Sequence, residues 1–293
     1  MIKHCDLKLN LRQKHLFSLP RLSAIPHHMS KKIGILTSGG DCAGLNAVIR
    51  SVVHSAHHKG WEVHGITNGT AGLFVDPPKV QHLHASEFDG NLMRQGGTIL
   101  GTTNKGNPFA FPMPDGSIKD RSDEIVAGFH KIGLDAIVGI GGDGSFAILS
   151  KLAAKGGINM VGVPKTIDND IGETETSVGF DTAVAVATEA LDRLQPTAAS
   201  HDRVMVLEVM GRDAGHIALS AGIAGGADVI LLPEIPYSIE AIKKKVNQVK
   251  EMGRNFALVV VSEAVKTIDG EKFEMTYHGG ERRYGGIGQY VAA

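Results

Sequence analysis

Gly141-Gly142-Asp143-Gly144-Ser145 decides the fold of this chain, because a short apolar run over residues 136–140 leads into it and a helical period follows it. Apolar residues then recur at helical spacing, at Phe146, Leu149 and Leu152. The segment therefore predicts a strand, a glycine turn and an amphipathic helix. Glycines at such a turn let backbone N–H groups approach phosphate oxygens at a helix N-terminus, and Asp143 is a candidate ligand for a divalent metal.

Two further strand ends carry residues of the same kind. The apolar run 33–36 leads into Ser38-Gly39-Gly40-Asp41 and a second helical pattern, which predicts another phosphate-sized turn. The run 160–163 leads into Pro164-Lys165-Thr166-Ile167-Asp168-Asn169-Asp170, whose carboxylates can take a proton from an acceptor hydroxyl. By itself, Asp-Asn-Asp after a strand is also typical of a turn whose side chains cap backbone N–H groups. The three strand ends together predict a phosphoryl-transfer site.

The remaining apolar runs extend the alternation of strands and helices. They are short and nearly uninterrupted, as expected of parallel strands covered on both faces, and lie at residues 63–66, 204–209, 229–232 and 256–261. Helical periods separate them, among them residues 45–53, a long helix from Phe180 to Gln195 and a lysine-rich helix over residues 239–249. We therefore predict an α/β fold with open parallel sheets.

Composition excludes several classes of function. The 293 residues hold 30 basic and 31 acidic side chains, so no overall field would attract nucleic acid or an anionic membrane. No apolar run approaches the roughly 18 residues that a membrane-spanning helix needs. The two cysteines, Cys5 and Cys42, lie far apart and lack CxxC spacing, which indicates a reducing cytosol without a disulfide or a zinc site.

The first 28 residues differ from the rest. They are rich in Lys and Arg, carry Asp6 as their single acid and have no clear period, so we predict a disordered extension. A targeting presequence is the alternative, but a secretory apolar core is missing. Met29-Ser30-Lys31-Lys32 resembles a natural start directly before the first strand.

Six motifs in order identify the chain as similar to the 6-phosphofructokinases that use ATP or pyrophosphate, from about Lys31 to the last residue. They are residues 36–47, 97–102, 140–145, 164–170, 208–212 and 262–264. The resemblance implies two Rossmann-like domains, with nucleotide binding by residues 29–179 and sugar phosphate binding by residues 180–293. It also implies a cytoplasmic homo-oligomer, either a tetramer or a dimer.

The resemblance implies a role for each part of the site. Asp168 is the general base for the 1-hydroxyl of fructose 6-phosphate, and Asp143 binds the Mg²⁺ that bridges the donor phosphates. Arg212 stabilises the charge of the phosphoryl group in transfer, and Arg203 reaches the sugar phosphate of a neighbouring subunit. The implied donor-binding residues are Gly39, Lys105, Gly142, Asp143, Gly144 and Ser145. The implied substrate-binding residues are Thr166, Asp168, Asp170, Arg203, Met210, Gly211, Arg212 and Glu263.

The phosphoryl donor depends on three positions. Pyrophosphate-dependent relatives usually have Asp where this chain has Gly144, and a carboxylate there would repel a nucleotide's additional phosphate. Lys165 replaces the glycine of the strictest ATP-using relatives, and Lys105 follows Thr102-Thr103-Asn104 where many of them carry an arginine. We expect ATP as the donor, with pyrophosphate as the alternative.

Other functions fit parts of the pattern. Gly139 to Gly144 matches the G-x-G-x-x-G motif of dinucleotide-binding proteins, but Asp143 would face a pyrophosphate and the next strand ends without an acid for a ribose. Diacylglycerol-kinase-like and NAD-kinase-like enzymes share the Gly-Gly-Asp-Gly turn but not the stretch 164–170. In the resemblance, a further segment follows the helical pattern that begins at Gly285 and supplies a His and two Arg to the sugar phosphate. We therefore expect a C-terminally truncated chain in which both domains are incomplete and the return segment is missing, and an inactive fragment is a further alternative.

Overall fold

The computed structural model of the protein describes residues 30–104, 106–276 and 282–293. The predicted extension over residues 1–28, Cys5 and Lys105 lie outside these ranges. The described strands are β1 (Lys32–Thr37), β2 (Glu62–Ile66), β3 (Val80–His82), β4 (Phe111–Pro112), β5 (Ile118–Lys119), β6 (Ala136–Gly141), β7 (Asn159–Thr166), β8 (Val178–Gly179), β9 (Val204–Val209), β10 (Val229–Leu231), β11 (Ala257–Ser262), β12 (Glu274–Thr276) and β13 (Arg282–Tyr284). The α-helices are α1 (Leu45–His58), α2 (Ser122–Ile132), α3 (Asp143–Gly156), α4 (Phe180–Ser200), α5 (His216–Ala224), α6 (Ile239–Glu251) and α7 (Ile287–Ala292).

Nine of the described strands form two open sheets that are mainly parallel, and the pairs β4–β5 and β12–β13 form two small antiparallel sheets. The first has the order β3-β2-β1-β6-β7-β8, and all its neighbours are parallel except β2 and β3. The second has the order β10-β11-β9 and is parallel throughout. All seven apolar runs are strands, so the predicted α/β fold with parallel sheets is confirmed.

Helices cover both faces of each sheet. In the first sheet, Ile49 and Val53 of α1 pack on one face, and Phe129 of α2 and Leu149 of α3 pack on the other. In the second sheet, α4 and α5 pack on one face, and α6 and α7 pack on the other. The predicted boundary after residue 179 falls between β8 and α4, and the assignment of the two parts as separate domains stays a prediction.

Two expectations about individual elements were wrong. The helix that begins at Phe180 continues through Pro196 to Ser200, because only one intrahelical N–H is lost at the proline and Ser200 Oγ donates to the Pro196 carbonyl oxygen (2.7 Å). Strand β7 is not covered on both faces along its length. Gly162 faces Phe146 of α3, whereas Val161 on the opposite face is 61% exposed.

Cys42 is a free, buried thiol that donates to the carbonyl oxygen of Val178 (3.3 Å). Among the described residues, none of the helices has the length and apolar character that crossing a membrane requires.

Candidate active site

The C-terminal ends of β1, β6 and β7 lie side by side at one edge of the first sheet. Thr37 is in register with Ile140, and Gly141 is in register with Pro164. The N–H of Ser38 donates to the Ile140 carbonyl oxygen (2.9 Å), which links the first turn to the second. Because parallel strands end at a common edge, three segments distant in sequence form one site.

Gly39 lies where the first two turns meet. Its φ of +84° is in the left-handed region, and a Cβ at this position would lie 3.3 Å from Ser145 Oγ and 3.5 Å from Lys165 Nζ. Conformation and space therefore both favour glycine. The turn brings its backbone close to the N-terminus of α3, as phosphate binding requires.

A loop over residues 97–103 holds the first turn in place. The hydroxyl of Thr37 donates to the Gly101 carbonyl oxygen (2.7 Å), and the hydroxyl of Thr102 donates to the Gly39 carbonyl oxygen (2.6 Å). The N–H of Gly39 donates to the carbonyl oxygen of Thr103 (2.9 Å). The predicted donor contact of Lys105, two residues further on, lies outside the described residues.

Asp143 and Gly144 are the first two residues of α3, which follows Gly142, and both are exposed. A Cβ added at Gly144 would meet no atom within 4 Å, so open space faces this position. An exposed carboxylate at the start of a helix and beside open space fits Mg²⁺, since this ion is usually bound by one or two carboxylates together with substrate phosphates. Asp143 is therefore a suitable magnesium ligand for an enzyme whose substrate carries phosphates.

Lys165 is a buried lysine beneath the first turn. It is only 5% exposed, and its ammonium group donates to the carbonyl oxygen of Gly40. Desolvation lowers its pKa, while the neighbouring Cys42, Asp41 and Asp168 act in the opposite direction. In this arrangement Lys165 acts first as a support for the glycine turn.

Asp168 is a buried carboxylate, 9% exposed, held by its neighbour Thr166. The Thr166 hydroxyl donates to Asp168 Oδ2 (3.2 Å) and accepts from the Asp168 N–H (3.1 Å). Desolvation raises the pKa of Asp168, and Asp170 adds to this effect, whereas Arg212, Thr166 and Lys165 oppose it. A carboxylate with a raised pKa is a stronger base than an exposed aspartate.

The segment after Asp168 is closed by Asn169. Its backbone is left-handed, with φ of 54°, and its side-chain oxygen accepts from the Ser177 N–H (2.8 Å). The Ser177 hydroxyl donates to the Thr166 carbonyl oxygen (2.7 Å). The predicted turn, in which a side chain caps a backbone N–H, is therefore present, and Asn169 provides the capping side chain. Asp170 is exposed beside the site.

The second sheet contributes Arg212 from the loop after β9. Its Nε lies 4.0 Å from Asp168 Oδ2, although its side chain is 70% exposed. Its φ of 53° is an unusual conformation for a non-glycine residue and costs about 1–3 kcal/mol. A Cβ at the preceding Gly211 would collide with the Ala214 carbonyl group. The loop is thus strained at the point where it faces the carboxylate.

Glu263, at the end of β11, holds this strained loop. Its Oε1 accepts from the N–H groups of Gly211 (3.2 Å) and Arg212 (2.9 Å). Burial raises its pKa, the two backbone hydrogen bonds oppose the shift, and the charges of Asp168 and Glu208 add to it. Glu263 thus has a structural contact in addition to any contact with substrate.

Two predicted substrate residues, Met210 and Arg203, lie at opposite ends of β9. Met210 directly follows β9 and is 55% exposed beside Gly211 and Arg212. Arg203 directly precedes the same strand, at its opposite end, and is also exposed. A strand of six residues separates Arg203 from Arg212, so this chain does not bring the two arginines together.

Two groups that support the second-sheet side of the site were not predicted from the sequence. The hydroxyl of Tyr284 (2.9 Å) and the ammonium group of Lys272 (2.9 Å) both donate to Asp213 Oδ1, which ties the loop after Arg212 to the β12–β13 hairpin. The two oxygens of Glu208 accept from the N–H groups of Gly286 and Gly288 (both 2.8 Å) at the start of α7. These partners lie 59 to 80 residues apart, and no local pattern signals such pairs.

Comparison with known proteins gives consistent results at the level of sequence and fold. A family described as Phosphofructokinase matches residues 32–292. The chain is 65% identical over 263 residues to ATP-dependent 6-phosphofructokinase 1 of Nostoc sp., covering 90% of this chain and 73% of the relative. It is 64% identical to ATP-dependent 6-phosphofructokinase 1 of Synechocystis sp., covering 89% of this chain and 73% of that protein.

A solved structure of phosphofructokinase from Saccharomyces cerevisiae has the same fold. It matches with a TM-score of 0.70 and 30% sequence identity, over 83% of this chain. The matched part is 35% of the yeast chain, which is much longer.

Proposed function

Because the chain belongs to the phosphofructokinase family, we propose that it transfers the terminal phosphoryl group of ATP to the 1-hydroxyl of fructose 6-phosphate, which yields fructose 1,6-bisphosphate and ADP. The proposal rests most on the meeting of Asp168 and Arg212, 4.0 Å apart, in front of the glycine turns. Family membership favours this reaction over hydride transfer and over lipid or NAD phosphorylation.

Asp168 acts as the general base. It takes the proton of the 1-hydroxyl as that oxygen forms its bond to the terminal phosphorus, while the bond from phosphorus to the leaving ADP oxygen breaks. Burial raises the pKa of Asp168, which strengthens it as a base, and the hydrogen bond from Thr166 orients its carboxylate. A positioned base of this kind accelerates a reaction by roughly 10²–10⁴-fold.

Arg212 stabilises the charge on the phosphoryl group in transfer. Its guanidinium is always charged and has a fork of N–H donors that matches phosphate oxygens. Glu263 holds the backbone of Gly211 and Arg212, so the arginine is positioned before substrate arrives. The second carboxylate oxygen of Glu263 and the backbone around Met210 would contact the sugar.

The donor binds at the first sheet, against Gly39, Gly142, Gly144 and Ser145. Asp143 would hold Mg²⁺, which neutralises the donor phosphates when bound. Open space at Gly144 supports ATP over pyrophosphate, because nothing there repels the inner phosphate of a nucleotide. Lys165 affects donor choice through the position of the first turn, since its ammonium group contacts the Gly40 carbonyl oxygen.

The proposal extends to organisation and compartment. Residues 29–179 serve as the donor domain and residues 180–293 as the sugar phosphate domain, with catalysis where they face each other. Arg203 is exposed and distant along β9 from Arg212, which suits a contact with the sugar phosphate of a neighbouring copy in a cytoplasmic homo-oligomer, a tetramer or a dimer.

An assay of fructose 6-phosphate with Mg·ATP tests the function directly. Phosphorus NMR of the product should show a new phosphate on the 1-position, and ADP should form in equal amount. Asp168→Asn should lower kcat by roughly 10²–10⁴-fold with little change in ATP binding, because it removes the base without removing a donor contact. Asp192→Asn, on the exposed surface of α4, is the matched control and should keep parental turnover. Near-parental turnover by Asp168→Asn would remove this residue from the role of base.

A further inference from the structure

A cluster of histidines and a carboxylate lies on the edge of the first sheet, outside the candidate active site. His64 of β2 and His82 of β3 are directly opposite each other in an antiparallel ladder. The pairing continues beyond them, since the N–H of Leu83 donates to the Val63 carbonyl oxygen (2.8 Å). Side chains alternate along a strand, so Glu62 and His84 lie on the same face as His64 and His82.

The donor atoms of this cluster are close enough to share one ion. One ligand atom each from Glu62, His64 and His82 lie within 4.8 Å of one another. The rings of His64 and His82 stack with centroids 5.1 Å apart, and the ring of His84 lies 4.0 Å from that of His82. In a tetrahedral zinc site, donor atoms are about 3.3 Å apart, so small side-chain rotations would complete the coordination.

His64 supplies an independent indication. Its Nε2 is buried and has no hydrogen-bond partner among the described residues, and the nearest charged oxygen, Glu62 Oε2, lies 3.5 Å away. A buried polar atom without a partner is uncommon in folded proteins and usually has a specific explanation. A cation between His64, His82 and Glu62 would satisfy this nitrogen.

We propose that Glu62, His64 and His82 bind a divalent transition-metal ion of the Zn²⁺ class, with His84 next to them as a fourth candidate ligand. Imidazole nitrogens with a carboxylate are a suitable ligand set for zinc. The prediction of a chain without a zinc site rested on cysteine spacing alone. These histidines come together only because β2 pairs with β3, which cysteine spacing does not reveal.

The expected effect of this ion is structural. Strand β3 is one of the two edge strands of the first sheet, and the cluster ties it to β2. Glu62 is the first residue of β2, whereas the candidate active site lies beyond the C-terminal ends of the parallel strands. Glu62 and His64 lie four and two residues before the end of β2, at roughly 3.3 Å for each residue, so the cluster is set back from that edge of the sheet.

Titration of the full, metal-free chain with Zn²⁺, in competition with a chromophoric chelator, tests the proposal. We expect one site whose affinity falls at least about tenfold in His82→Gln and in His64→Ala. His57→Ala is the matched control, because His57 is an exposed histidine on α1, and its zinc affinity should equal that of the parent.

Thermal unfolding provides the second measurement. Zn²⁺ should raise the Tm of the parent in proportion to the logarithm of its concentration, and at the same concentrations it should raise the Tm of His82→Gln less. His82 is exposed, so this variant should fold without metal as the parent does. Absence of zinc binding by the parent would overturn the proposal. Binding by His82→Gln and His64→Ala with the same affinity as the parent would also overturn it and would assign the bound zinc to other histidines.

Discussion

The two sides of the candidate active site are built in different ways. On the side of the first sheet, each contributing turn is a contiguous stretch at the end of a strand, and Gly39, Asp143 and Gly144 act through backbone shape as much as through side chains. On the side of the second sheet, the loop that carries Arg212 is strained and depends on Glu263, 51 residues away, and on the Tyr284–Asp213 hydrogen bond across 71 residues. The first turn has distant partners as well, since Thr102 and Lys165 contact the carbonyl oxygens of Gly39 and Gly40. The Arg212 loop carries backbone strain at Arg212 in addition, so we expect it to respond more strongly to the loss of a distant contact.

Among the substitutions that compare the two sides of the site, the largest effect is expected from Arg212→Lys. Lysine keeps the positive charge but lacks the planar fork of donors, so kcat should fall by about 10²-fold while the KM for ATP changes little. Steady-state kinetics of fructose 6-phosphate phosphorylation measure this. Arg193→Lys, on the exposed surface of α4, is the matched control. Equal kcat in parent and Arg212→Lys would mean that charge alone is sufficient on this side of the site.

Gly144→Asp probes the side of the first sheet. The backbone there has room for a side chain, so the variant should fold, but its carboxylate would repel the inner phosphate of ATP. We expect kcat/KM for ATP to fall by at least about tenfold, and by much less for any activity with pyrophosphate. Gly90→Asp adds the same charge in open space elsewhere and should leave both values unchanged. A parent enzyme that prefers pyrophosphate would refute the assignment of the donor.

Tyr284→Phe tests whether the loop of Arg212 depends on distant contacts. The change removes one hydrogen bond to Asp213, which is worth about 1 kcal/mol, so kcat should fall a few-fold with an unchanged KM for ATP. Tyr237→Phe is the control, because the buried hydroxyl of Tyr237 has no hydrogen-bond partner in the described part of the chain. An unaltered kcat in Tyr284→Phe would show that Glu263 and the Lys272–Asp213 contact hold the loop without Tyr284.

The smallest expected effect is on stability. The pKa of Asp168 is raised in the folded state, so its contribution to stability is fully present below the unfolded value of about 3.9 and is lost as pH rises through the folded value. At neutral pH the buried charge is therefore destabilising, and Asp168→Asn should have a slightly higher Tm than the parent. The difference should disappear at pH values below about 3.9. A lower Tm for Asp168→Asn at neutral pH would contradict this.

The same raised pKa has a kinetic consequence. The base must be deprotonated, so kcat/KM for fructose 6-phosphate should fall on the acid side at a higher pH than for an exposed aspartate.

Much of the architecture follows from short-range pattern. Apolar runs that alternate with helical periods predicted seven of the nine strands of the two main sheets, because such runs can be buried only between helices. The edge strand β3 was not predicted, since its three residues, Val80-Gln81-His82, carry one apolar side chain and are defined by pairing with β2. The predictions at Pro196 and Val161 were wrong for the same reason. Tertiary packing decides whether a helix continues past a proline and whether a strand face is covered.

The sequence by itself determined the glycine turns, the buried strands and the set of chemically active residues around Asp168, because these depend on neighbours within one turn or one strand. Tertiary structure alone decided that Lys165 supports the Gly40 carbonyl group, that Arg212 approaches Asp168 from a second sheet and that Arg203 points to a different end of β9. It also decided that three histidines and Glu62 share one face of an edge ladder. Each of these relations joins residues from separate strands or loops, and strand order and register, which no local pattern encodes, set which of them meet.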